Sequence, residues 1–132
     1  ALIDGLLGLI DLSLSQILGY AFHPLAYLMG VPWEEAGSFG TLLGEKIALT
    51  ELIAYKDLSV LVNNNEISTR TAQIASYALC GFANFASIGI QIGGISGIAP
   101  NQKNKVAKLA FKAMIGGALA SWITACIAGI IL

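Results

Sequence analysis

The stretch Gly44-Glu45-Lys46-Ile47-Ala48-Leu49-Thr50-Glu51-Leu52-Ile53-Ala54-Tyr55 decides how this chain is read. Two apolar arms, around Leu42–Leu43 and Leu58–Val62, flank a middle that carries Glu45, Lys46, Glu51, Lys56 and Asp57. A plain membrane-spanning helix does not tolerate that density of charge. The pattern fits a re-entrant hairpin, which enters the membrane and turns back, because irregular backbone at that depth persists where it lines a cavity or is buried in protein. Glu51 is the sharpest candidate for function. A carboxylate in apolar surroundings costs several kcal/mol unless it is paired or hydrated. It either pairs with a cation such as Lys46 and fixes packing, or accepts hydrogen bonds from a polar solute. Glu45 and Lys46 are placed nearer the hairpin mouth, with structural or gating roles.

Composition places the hairpin in a membrane protein. The 132 residues are 56% apolar and 11% charged, with a mean hydropathy of +0.76. Soluble domains carry about 25% charged residues. The net charge of -1 offers no basic field for nucleic acid, and that partner class is set aside. At roughly 20 residues per pass the chain allows about three or four passes. The first apolar block, residues 2 to 31, has no basic leader and carries Asp4 and Asp11, which argues against a secretory signal peptide. The chain reads as a piece of a longer protein. Cys80 and Cys126 lie in apolar stretches and are expected as small buried hydrophobes.

Outward from the hairpin, the chain divides into four units. Residues 1–38 form a transmembrane or interfacial helix and a connecting loop, and residues 39–65 the hairpin and its loop. A discontinuous transmembrane helix occupies 66–100, and a basic cytoplasmic loop with a C-terminal transmembrane helix occupies 101–132. The polar run 33–38 is expected as a loop or short surface helix, beside an interfacial Trp33. His23, before Pro24, reads as structural or interfacial. Ser68 is the expected cap of the next helix, with Thr69 as the alternative. Residues 71–99 carry no charge yet hold Ser76, Asn84, Ser87, Gln91 and five glycines. Such a composition suits a helix that packs closely or unwinds midway, a transporter device. Asn84 and Ser87 share a helix face and serve either interhelical hydrogen bonding or a polar solute. Phe82 and Phe85 beside them serve either core packing or an apolar or planar part of that solute.

Lys103, Lys105, Lys108 and Lys112 mark the cytoplasmic side by the positive-inside tendency, which turns the C-terminus outward. Gly117, Ser121, Ala125 and Gly129 recur every fourth residue, a small-residue stripe that lets a helix approach closely. No nucleophile–base pair, phosphate-binding loop or metal-ligand spacing is present, so an enzyme is disfavoured and no cofactor or metal site is expected.

The residues Leu79-Cys80-Gly81-Phe82-Ala83-Asn84-Phe85-Ala86-Ser87-Ile88-Gly89-Ile90, then Gly93-Gly94 and Gly97-Ile98-Ala99-Pro100-Asn101, together with the hairpin stretch, resemble the C-terminal part of the concentrative nucleoside transporters. The resemblance implies an all-α membrane fold with a re-entrant helical hairpin and a discontinuous helix. It implies that Glu51 binds ribose hydroxyls, and that Phe82, Asn84 and Ser87 face the nucleoside. Lys46 and Thr50 are candidates to support the site. Thr50 and Leu52 depart from the family's hairpin motif, which has asparagine and phenylalanine there. A homotrimer in the plasma membrane (the inner membrane in a Gram-negative source) is implied, with sodium or proton coupling. The base-recognition residues and cation ligands then lie mostly in the remaining N-terminal part of the transporter. The alternative is a structural or assembly segment that keeps the fold without transport.

Overall fold

The computed structural model describes residues 14–132. Asp4 and Asp11, and with them the start of the first apolar block, lie outside the described residues. Six α-helices follow in order: α1 Leu14–Leu28, α2 Trp33–Ala48, α3 Glu51–Asn63, α4 Thr69–Leu79, α5 Phe85–Ile98 and α6 Lys103–Ile131, with a 3-10 turn at Pro100–Gln102 before the last. No strand occurs among the described residues.

Local chemistry sets the boundaries. Pro32 occupies the N-cap of α2, and Glu34 and Glu35 fill its first turn, where the helix dipole favours negative charge. The polar run 33–38 is therefore the opening of a long helix and not a loop. Ser68 caps α4 as expected, its Oγ accepting from the Thr71 N–H at 3.3 Å. Glu35 Oε2 accepts from the backbone N–H and the hydroxyl of Ser68 at 3.2 and 3.0 Å, which ties the start of α2 to the start of α4.

Two interruptions organise the rest. The α2–α3 pair breaks at Leu49–Thr50, and Thr50, in extended conformation, accepts from the Ile53 N–H at 3.5 Å. The α4–α5 pair breaks at Cys80–Asn84, where Gly81 takes φ +135°, a conformation that only glycine adopts without strain. Cys80 is exposed there, and Cys126 is half-buried, contrary to the expectation that both are core residues. Cys80 falls at the helix end, where the chain leaves the packed face.

α1 packs along α2, and α6 packs on both α4 and α5, so that it backs the second interruption. The core gathers Ala26, Met29, Phe39, Leu43, Ile74, Leu79 and Ala125. The small-residue stripe of α6 is its inner seam. Ser121 and Ala125 are buried, Gly117 faces Ala83, and Gly129 lies directly against the Met29 carbonyl. Arg70 donates from its two terminal guanidinium nitrogens to the Gly30 and Gly129 carbonyls, which closes that end of the packing. His23 packs on Trp33 with ring centroids 4.3 Å apart.

The lysine segment is helical, not a loop. Lys, Ala and Leu are strong helix formers, and no glycine or proline interrupts 103–112. At 29 residues α6 is roughly 44 Å long, longer than the ~30 Å hydrocarbon layer. Its lysines therefore stand beyond the apolar span. Only 22% of the apolar stretch within Pro100–Ile131 is buried inside the chain. Ile90, Ile98, Leu109, Ile123 and Ile130 are exposed, an outer face suited to lipid or to further transmembrane helices and not to water.

Candidate functional site

The two interruptions face one another. Thr50 and Glu51 begin α3, and Asn84 begins α5. Each start presents backbone N–H groups and the positive end of a helix dipole. Asn84 Nδ2 donates to Glu51 Oε2 at 2.9 Å, a bond that links the two starts across the chain. The charged acceptor makes this stronger than a neutral bond. Glu51 thus pairs with an amide and not with Lys46, as the cation-pairing reading required.

Asn84 is fully buried and its amide is doubly employed. Its Oδ1 accepts from the Ser87 N–H at 2.8 Å. Ser87 in turn accepts from the Asn84 N–H at 3.3 Å and donates to the Asn84 carbonyl at 2.6 Å. This reciprocal capping box satisfies donors at the helix start that no intrahelical bond reaches. Ser87 is 1% exposed, enclosed behind Asn84. Glu51 is only partly buried. Phe82 and Phe85, flanking the cap, are 49% and 47% exposed. Neither packs in the core of the described chain.

Lys46 departs from its expected position. It is fully buried, one of the largest wholly enclosed side chains, and does not stand at a hairpin mouth. Its ammonium donates to the Ala78 carbonyl at 2.9 Å and to Ser121 Oγ at 2.7 Å. The i−4 geometry of α2 explains this. Lys46 lies on the inner face with Leu42, Leu43 and Ile47, all buried, and its length carries the charge past them to the end of α4. The reading of the stripe as pure packing missed Ser121 as a partner for this charge, because spacing alone does not show which buried cation a hydroxyl meets. Thr50 remains a cap, with its hydroxyl turned to its own helix. Among the described residues no group of three or more His, Cys, Asp or Glu side chains is placed to hold a metal ion.

A pair of interrupted helices with facing starts, backed by one long apolar helix, defines an all-α membrane protein. Comparison with known proteins then gives the family. The family model described as "Na+ dependent nucleoside transporter C-terminus" matches residues 1–129. Solute carrier family 28 member 3 of Mus musculus is 42% identical over 92% of the chain, which covers 19% of that protein. The nucleoside permease NupC of Helicobacter pylori is 41% identical over 90% of the chain, which covers 29% of it. Among solved structures, CNTnw in an inward-facing substrate-bound state superposes with a TM-score of 0.87 at 42% identity, over 97% of this chain and 32% of that one. The chain belongs to the Na+ dependent nucleoside transporter C-terminus family, a family of membrane transporters and not of enzymes. It spans a third or less of the length of these relatives.

Proposed function

We propose that the chain is the C-terminal part of a cation-coupled nucleoside transporter and supplies the ribose side of its nucleoside site. The observation that carries this reading is the Glu51–Asn84 bond, which holds a carboxylate at the meeting point of two helix starts. Glu51 accepts the ribose hydroxyls. Asn84, buried behind it, orients that carboxylate through its amide N–H. Phe82 covers the planar or apolar part of the solute, and Ser87 fixes Asn84 through the capping box. Lys46 and Thr50 support the geometry.

The α2–α3 pair is the re-entrant hairpin. The base side of the site and most ligands of the coupling cation, sodium or proton, come from the remaining N-terminal part of the protein. The whole assembles as a homotrimer in the plasma membrane (the inner membrane of a Gram-negative source). Cation and nucleoside bind together, and the loaded domain crosses the barrier by alternating access, which requires different affinities in the two states. Uptake of labelled uridine by the full-length transporter tests the reading. Glu51→Ala removes uptake at low substrate concentration, and undiminished uptake rejects the assignment of Glu51.

A further inference from the structure

One buried charge stands behind this site. Lys46 sits at 0% exposure between α2, α4 and α6, and an ammonium enclosed in this way persists only where acceptors replace its water. Two acceptors do so. One is the Ala78 carbonyl, two residues before the second interruption begins, and the other is the hydroxyl of Ser121 on α6. Ser121 and the ammonium itself both lie beside Gly81. A Cβ at Gly81 would lie 3.7 Å from Ser121 Cβ and 4.0 Å from Lys46 Nζ. The ammonium thus pins the last turn of α4 and the first residues of the break against α6. Three residues beyond Gly81 stands Asn84, the group that holds Glu51.

We propose that Ser121 is a positioning residue for the nucleoside site, acting through Lys46. Its hydroxyl anchors the ammonium that fixes the start of the α4–α5 break, and so sets where Asn84 presents the Glu51 carboxylate. The proposal rests on the reading of Glu51 as the ribose acceptor. Ser121 touches no solute itself. Without its hydroxyl the ammonium keeps one carbonyl, and it must turn, draw in water or shift the break to recover a partner. Turning of the ammonium or a shift of the break moves the residues between Ala78 and Asn84 and leaves the capping box of α5 intact.

The experiment compares the purified full-length transporter with Ser121→Ala and Ser121→Thr, titrated with uridine and with 3′-deoxyuridine. Wild type distinguishes the two ligands through the ribose hydroxyl. Ser121→Ala lowers uridine affinity about tenfold, the scale of coupling through a shared hydrogen-bond network, and shrinks the preference for uridine over 3′-deoxyuridine. Ser121→Thr, which keeps the hydroxyl, restores both. A lower melting temperature with an unchanged ligand preference assigns Ser121 to packing alone and overturns the proposal. If Ser121→Ala does not purify folded, Ser121→Cys decides in its place, and an undiminished preference there overturns it equally. Glu51→Ala in parallel separates the two readings. If that variant keeps the wild-type preference, the ribose assignment itself has failed. If it loses the preference while Ser121→Ala does not, only the role of Ser121 has failed.

Discussion

The amide of Asn84 donates to the carboxylate of Glu51 at 2.9 Å, and the same amide's oxygen caps α5 by accepting from the Ser87 N–H at 2.8 Å. One side chain therefore sets both the start of a half-helix and the aim of a charged group on another element. Replacing it should separate the two roles. Asn84→Ala removes the cap, at about 1 kcal/mol, and also frees Glu51. Asn84→Asp keeps a capping oxygen but sets a second carboxylate against Glu51, a like-charge contact. We expect Asn84→Asp to melt closer to wild type than Asn84→Ala does, and both to lose uridine binding. Thermal melts and uridine titrations of the full-length protein check the pair.

At Gly81 the expected effect is on stability as well as on binding. Its φ of +135° excludes a side chain without strain of roughly 1–3 kcal/mol. Gly81→Ala should lower the melting temperature and weaken uridine binding together, because the strain falls between Lys46 and Asn84. A variant with wild-type melting behaviour would show that the break does not hold this conformation.

Two glycines of the α6 stripe make opposite predictions. A Cβ on Gly117 would meet Ala83 Cβ at 3.5 Å, an ordinary contact, whereas at Gly129 it would enter the Met29 carbonyl. Gly117→Ala should be neutral or slightly stabilising, since alanine favours helix by about 1 kcal/mol. Gly129→Ala should cost about 1–3 kcal/mol through overpacking against backbone. Melting curves of the two variants in one detergent decide it.

The lysines of α6 give a topological prediction. With the positive end cytoplasmic, a Lys105→Cys variant should react with a membrane-impermeant maleimide in inside-out vesicles and not in right-side-out ones. Labelling only in right-side-out vesicles would reverse the orientation.

Much of this arrangement was legible in the residues themselves. The break in the third apolar block shows in its glycines, which mark where a helix stops, whereas Asn84, read as sharing a helix face with Ser87, is the cap of the second half-helix. Ser68 and the stripe on α6 were visible for the same local reason. The fate of Lys46 was not. Its burial depends on α6, far away in sequence, bringing Ser121 to it, and long-range partnership leaves no periodic mark. The run 33–38 was open between a loop and a short surface helix because its polar residues hide the start of the long helix that Pro32 sets. The lysine segment looked like a loop because charge there signals the membrane edge, which is a statement about solvent and not about backbone. The family motifs pointed to Asn84 and Ser87 as solute ligands, and the hydrogen bonds show how far both are first committed to each other.

We propose that Glu51, held by Asn84, reads the ribose. The most direct measurement is calorimetric titration of the full-length transporter and its Glu51→Gln variant with uridine and 3′-deoxyuridine. Glutamine keeps the size of the side chain and removes the charge. A hydrogen bond to a charged group contributes about 1.5–3 kcal/mol, so uridine affinity should fall roughly ten- to hundredfold, and the preference for uridine over its 3′-deoxy analogue should collapse. Full retention of that preference by Glu51→Gln would show that the carboxylate does not read the ribose.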